Sequence, residues 1–276
     1  MKDIRIAAAV SRAEPLDVGR NFDTMARLVR DARQAGARLV CFPEMNLTGY
    51  VIAPEIRQVA EPVPGPLSQR LSALADAEEM VILAGLAEKG PADALFVSHL
   101  VAAPGREIAV YRKLHMAPPE RKLFAQGEAA PVFEAAGVRF GVQLCYDAHF
   151  PEISTHMAQA GAELILVPHA SPRGSADEKF RSWMRHLPAR AFDNSVFLVA
   201  VNQIGASPKG LAYPGVALAM DPSGRLMASE LRDEEGLLVV DLPAAALERV
   251  RTHKMRFFFP NRRPRLYERL RRNSST

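Results

Sequence analysis

The spacing of hydrophobic and polar positions changes repeatedly along the chain, and each change marks an element. Ile4 to Val10 is a short apolar run bounded by Ser11-Arg12 and reads as a strand. Val18, Phe22, Met25, Ala26, Val29 and Ala32 then recur at the spacing of one helix face, and Gly36 is placed to stop that helix as a C-cap. Arg38 to Phe42 is a second apolar run, broken by Pro43-Glu44. Past the Pro62–Pro66 loop, a Leu- and Ala-rich helix extends to about Glu79 and a buried strand runs from Met80 to Ala87. Ala94–Ala103 and Glu107–Tyr111 read as a hairpin across Pro104-Gly105.

In the second half, Val132-Phe133 and Val138–Leu144 read as strands, and Pro151 opens a helix that runs to Gly161. Leu164–Val167 is again a strand. From Ser175 to Asp193 the pattern predicts one helix with Phe180, Trp183, Met184, Leu187 and Ala191 on one side, kinked at Pro188. Val196–Val201, Val216–Met220 and Leu237–Val240 complete the strands, with a turn at Asp221–Gly224. There is no internal repeat or low-complexity tract. Strands that alternate with helices in places and form hairpins elsewhere predict mixed sheets within one α/β domain spanning residues 1–250. Residues 251–276 read as a basic tail packed on that domain or on a partner subunit.

Composition changes this picture little. A chain of 276 residues with 48% hydrophobic content can bury a large core. The net charge of +4 and a pI near 9.2 suggest nucleic acid until the charge is located. Nine Lys and Arg face a single acid, Glu268, between Arg251 and Arg272, leaving −4 on the rest of the chain. A basic tail could touch phosphates, but with no nucleic-acid-binding motif beside it the expectation is no nucleic-acid partner. Two distant cysteines, Cys41 and Cys145, give neither a disulfide framework nor a metal site and fit a reducing compartment. The seven histidines have no zinc-ligand spacing, so His115, His149 and His169 read first as wall or structural residues. Without a membrane-length apolar stretch or a signal-type h-region, the sequence points to the cytoplasm, with no cofactor or metal.

Cys145 ends the run Val138–Leu144 just before a helix, where a side chain leaves the core and nearby N–H groups favour a thiolate. Glu44 follows a buried strand, and Lys113 follows the second hairpin strand. Taken singly, each has a plainer reading: packed cysteine, loop glutamate, surface lysine. Cys41, inside an apolar run, is read as a core residue.

Together these residues match a pattern. Phe42-Pro43-Glu44 with Gly49-Tyr50, Tyr111-Arg112-Lys113-Leu114-His115, and Cys145-Tyr146-Asp147-Ala148-His149-Phe150-Pro151-Glu152 resemble the three signature blocks of the nitrilase superfamily of carbon–nitrogen hydrolases. Trp183, Arg190–Asn194, Asn202-Gln203 and Arg262–Tyr267 extend the resemblance over nearly the whole chain. One departure is Val10-Ser11, where many members carry a glutamine after the first strand. The resemblance implies a four-layer α-β-β-α sandwich that forms a homodimer or larger homo-oligomer.

It further implies that Cys145 is the nucleophile, Glu44 its base, Lys113 the cation at the oxyanion and Glu120 a second glutamate orienting the lysine or substrate. The segments bordering the pocket nominate Tyr50, Tyr146, His149, Arg173 and Asn202 as substrate-binding residues, with Arg173 a candidate partner for a substrate carboxylate. The expected function is hydrolysis of a small amide or N-carbamoyl compound through a cysteine thioester, with release of ammonia. A nitrilase producing acid and ammonia is the alternative within enzymes, and a catalytically silent dimeric interaction module is the alternative of another class.

Overall fold

The computed structural model describes residues 1–206 and 210–273. Two six-stranded sheets organise it. The first takes β1 (Ile4–Val10), β2 (Leu39–Cys41), β3 (Val81–Lys89), β4 (Leu95–Ala102), β5 (Ala109–Arg112) and, from near the far end of the chain, β14 (Gly236–Leu242), in the order β14-β1-β2-β3-β4-β5. The second takes β6 (Phe133–Ala135), β7 (Val138–Val142), β8 (Leu164–His169), β9 (Phe197–Asn202), β12 (Gly215–Met220) and β13 (Leu226–Arg232), in the order β13-β12-β9-β8-β7-β6. The short strands β10 (Gly205–Ala206) and β11 (Ala212–Tyr213) pair separately. Each large sheet has three parallel strands at its centre, β1-β2-β3 and β7-β8-β9, with antiparallel strands outside.

Alternation within these strands builds three apolar layers. Ile4, Ile6, Ala8 and Val10 of β1 face the second sheet, where they meet Leu164 and Leu166 of β8 and Phe197 and Val199 of β9. Ala7 and Ala9 point the other way, onto α1 (Val18–Gln34) and α2 (Pro66–Glu78), with Phe22, Met25, Val29 and Leu71. Ile165, Val167, Leu198 and Ala200 cover the opposite outer face with Trp183, Leu187 and Ala191. These come from α4 (Ala176–Trp183) and α5 (Leu187–Asn194), which follow α3 (Pro151–Gln159). Helix, sheet, sheet and helix thus form the expected four-layer sandwich, most central strands burying both faces as near-continuous apolar runs predict.

Three details differ from the sequence reading. The single helix expected over Ser175–Asp193 is two, because the chain breaks at Met184–His186 and Pro188 sits in the first turn of α5, where its missing N–H costs nothing. Strand β13 had no clear signature: it is an edge strand whose residues are mostly half-exposed, so its alternation is blurred. A further helix, α6 (Ala244–Arg251), follows β14, and α7 (Pro264–Asn273) lies within the basic tail. Among the described residues no helix is long and apolar enough to cross a membrane.

Candidate active site

Glu44, Cys145 and Asn202 lie at the carboxyl ends of central parallel strands from both sheets, the usual position for a site in parallel α/β architecture, and Lys113 joins them from the end of the edge strand β5. Glu44 lies in the loop leaving β2. That loop is laid along β3: Phe42 N–H donates to Leu83 O at 2.9 Å, Gly85 N–H to Asn46 Oδ1 at 2.8 Å, Leu47 N–H to Gly85 O at 2.9 Å and Ala87 N–H to Thr48 Oγ1 at 3.1 Å. Gly85 permits the approach, since a Cβ there would collide with the backbone nitrogen of Met45.

Lys113 leaves the end of β5, where its N–H donates to Val97 O at 2.9 Å. Its side chain is fully buried, and Nζ donates to Glu44 Oε1 at 2.7 Å and Glu120 Oε1 at 2.8 Å. Glu120 also accepts from Tyr50 Oη at 2.6 Å and Ala117 N–H at 2.7 Å. From the second sheet, Ala170 N–H, just past β8, donates to Glu44 Oε2 at 3.1 Å. Buried charges persist only when paired and hydrogen-bonded, and this chain of carboxylate, ammonium and carboxylate meets that condition.

Cys145 follows β7 and opens a short 3₁₀ turn, Cys145–His149, with φ at +46°. A left-handed conformation is costly for a residue with a side chain and marks a position held by its surroundings. Asp147 provides much of the hold. Fully buried, it accepts from Tyr111 Oη at 2.8 Å, His115 N–H at 2.8 Å and Leu144 N–H at 3.1 Å. Tyr111 and His115 flank Lys113 two residues to either side, so Asp147 fastens the lysine segment to the cysteine turn. Asp147 stood in the signature block without a role, because a carboxylate's distant partners are not visible in sequence.

Electrostatics make these groups one unit. Burial pushes the Glu44 carboxyl up to about 7, against the opposing charge of Lys113. Burial works to lower the Lys113 ammonium, but the charges of Glu44, Cys145 and Glu120 outweigh it and hold the pKa above the usual lysine range. Cys145 is partly open as a residue, yet burial of its sulfur, then the charge of Glu44, raises the thiol, while Lys113 opposes that rise. Burial thus favours the neutral forms of both the Cys145 thiol and the Glu44 carboxyl, and Lys113 is the charge that opposes each rise. Cys41, buried in β2, is raised by burial alone, as expected of a core thiol.

The remaining candidates fall into different places. Tyr50 joins the buried cluster through Glu120, and Tyr146, next to Cys145, is half-buried with its ring edge against Phe150. His149 is exposed and stacks on His186 at 4.5 Å. Arg173 is exposed on the loop after β8 with φ at +75°. Asn202 is fully buried and spends its amide on backbone: Oδ1 accepts from Ser171 N–H at 2.8 Å, while Nδ2 donates to Ser171 O at 3.0 Å and Pro214 O at 2.8 Å. It shapes the Ala170-Ser171 loop that holds Glu44. A shallow cleft lined by Tyr50, Gln203, Tyr213 and Arg12 among others meets the cluster at Tyr50. Burial, then the charge of Glu44, raises the Tyr213 phenol to about 12.

The carbon-nitrogen hydrolase family model matches residues 6–252, stopping where the basic tail begins. The chain belongs to the carbon-nitrogen hydrolase family. Among its relatives is an (R)-stereoselective amidase of a Pseudomonas species, 36% identical over 221 residues, which cover 78% of this chain and 79% of that protein. A nitrilase of Pyrococcus abyssi is 30% identical over 96% of this chain and 99% of its own length. The solved amidase of Nesterenkonia sp. AN1 superposes with a TM-score of 0.83 at 29% identity, covering 97% of this chain and 99% of that one. A mutant of the same amidase carries the acetamide moiety of fluoroacetamide covalently added at its active-site cysteine. This carbon-nitrogen hydrolase is therefore an enzyme of the nitrilase superfamily.

Proposed function

We propose that this carbon-nitrogen hydrolase cleaves small amides or N-carbamoyl compounds, with Cys145 as nucleophile, Glu44 as general base and Lys113 as the cation facing the oxyanion. The observation that carries the reading is the buried hydrogen-bonded chain Glu44–Lys113–Glu120 set against a thiol in a left-handed turn. Cys145 Sγ bonds to the carbonyl carbon as its proton passes to Glu44. The carbon–nitrogen bond then breaks, Glu44 returns the proton to the leaving nitrogen, and ammonia departs from the thioester. Water attacks the thioester with Glu44 again taking a proton, and the acid and free thiol are released.

Lys113 cannot leave its place, because both neighbouring carboxylates hold Nζ. It offers a fixed positive charge as the carbonyl oxygen becomes anionic. The Tyr146 N–H, in the opening turn ahead of the first intrahelical acceptor, is the second donor we assign to that oxygen. Removal of one such donor typically costs about 2.7–4 kcal/mol of transition-state stabilisation. Glu120 positions Lys113, with Tyr50 and Ala117 fixing Glu120 in turn. His149 and Arg173 belong to the rim, and Asn202 acts through the loop it shapes.

The test is ammonia release from a panel of small amides, carbamoyl amino acids, carbamoyl amines and nitriles, with mass spectrometry for an acyl adduct on Cys145. Nitriles belong in the panel because of the similarity to the Pyrococcus abyssi nitrilase. Turnover with an adduct on Cys145 is expected. An adduct on Cys41, or undiminished turnover by Cys145→Ala, would overturn the assignment. We place the enzyme in the cytoplasm, in keeping with its two free thiols. We assign the exposed Met255, Phe258 and Tyr267 of the basic tail to contact with a second copy of the chain.

A further inference from the structure

The sequence reading passed over Lys179. It lies on α4, whose start is fixed by a capping box in which Ser175 Oγ accepts from Glu178 N–H and Glu178 Oε2 accepts from Ser175 N–H at 2.8 Å. One turn further on, on the same helix face, Trp183 is buried against the ring of His169, 4.4 Å between centroids. The face carrying Lys179 is thus the one turned toward the end of β8, where the Glu44 loop contact begins.

The lysine is half-buried and donates to Ser171 Oγ at 2.7 Å and Pro172 O at 3.3 Å. Both acceptors are neutral. The acids on its own helix are engaged elsewhere, Glu178 in the cap and Asp177 with Arg181. Among the described residues no carboxylate stands within ion-pair distance of its ammonium, although an ammonium carries three donors. Ala170 holds Glu44 and the very next residue, Ser171, holds Lys179, so consecutive residues fasten the base and the unneutralised cation. The charge of Lys179 also acts on the Cys145 thiol, lowering its pKa against the larger effect of burial.

We propose that Lys179 is a specificity-determining residue that binds a carboxylate on the substrate, so that the preferred amides are those carrying an acid group a few carbons from the scissile carbonyl. A half-desolvated ammonium without a counter-charge is unfavourable and is relieved by an anionic ligand. The platform under it is rigid, because Ser171 is clamped front and back by the Asn202 amide. Arg173 is exposed on the same loop and lies outside this frame. The inference rests on the amide-hydrolysis reading above and names the substrate class for that site.

The experiment compares kcat/KM for malonamate, succinamate and glutaramate with that for the neutral propanamide, butyramide and pentanamide, in the wild type and in Lys179→Met and Lys179→Arg. The wild type is expected to favour at least one acid-bearing amide over its neutral counterpart. That ratio should fall tenfold or more in Lys179→Met, mainly through KM, and be partly regained in Lys179→Arg. Equal losses for charged and neutral amides would overturn the proposal and make Lys179 an anchor of the loop, as would a wild type with no preference for the acids. Should the wild type hydrolyse none of the six, the amide reading fails separately. Calorimetry on Cys145→Ala and on Cys145→Ala/Lys179→Met then decides the binding claim: acid-bearing amides that bind more tightly than neutral ones only while Lys179 is present support it, and no such difference refutes it.

Discussion

The Tyr111 hydroxyl donates to Asp147 Oδ2 at 2.8 Å, with both side chains fully buried. Tyr111 belongs to the strand that delivers Lys113, and Asp147 to the turn that delivers Cys145. One hydrogen bond therefore spans the two sheets beside the reacting groups. An Asn at 147 keeps the shape but replaces one acceptor oxygen with a donor, which then faces the N–H groups of His115 or Leu144, or the Tyr111 hydroxyl. Asp147→Asn is expected to lower kcat at least tenfold with a smaller change in KM, and to lower Tm by several degrees. Steady-state kinetics and calorimetric melting check both. Wild-type kcat in the variant would show that the link does not position the chemistry.

Glu44 supplies the pH dependence. As the proposed general base it acts only when ionised, and burial pushes its pKa up to about 7. Below that value the carboxyl is protonated and cannot take the thiol proton, so kcat/KM should fall about tenfold per pH unit, with the acid limb centred near 7. Glu44→Gln should remove that limb together with nearly all turnover. A pH–rate profile is the measurement, and an acid limb centred near the ordinary glutamate range would contradict the assignment.

The two thiols should separate cleanly. Cys145→Ala is expected to abolish turnover with little change in melting, whereas Cys41→Ala should keep the chemistry. It removes one buried sulfur from β2 and is expected to cost about 1 kcal/mol of stability. Ammonia release and urea unfolding of both variants distinguish chemistry from packing.

Gly85 should be intolerant of any side chain. Its added Cβ would strike the Met45 backbone nitrogen, and the loop that would have to move carries Glu44. Gly85→Ala is expected to reduce kcat by 10²-fold or more and to destabilise by about 1–3 kcal/mol through overpacking. If kinetics and denaturant unfolding both show wild-type values, the docking of that loop on β3 does not set the geometry.

Much of the fold could be read because most central strands are apolar on both faces and helix α1 has an unbroken stripe, so periodicity alone located them. Reading failed where burial is partial, as in β13, and where the break at Met184–His186 ahead of Pro188 divides the expected 175–193 helix in two. In the site, Glu44, Lys113 and Cys145 each looked ordinary alone and were recognised through the motif blocks around them. Asp147 and Lys179 had no such help. Tyr111 and Asp147 are 36 positions apart, and the isolation of Lys179 depends on where Asp177 and Glu178 point, which sequence does not give.

The groups proposed to react come from opposite sheets: Glu44 and Lys113 from one and Cys145 from the other, with Ala170 of the second sheet's β8 loop holding Glu44 and the apolar layer of Ile6, Leu83, Phe140 and Leu166 between the sheets. Turnover thus works as a caliper on the gap between the sheets. Hollowing that layer far from the cleft, for example at Phe140, would let the two halves settle toward each other and slide thiol past carboxylate by fractions of an ångström. Catalysis would fade in a protein that still melts as a folded one, so loss of rate would report a drift in sheet spacing before spectroscopy registers unfolding.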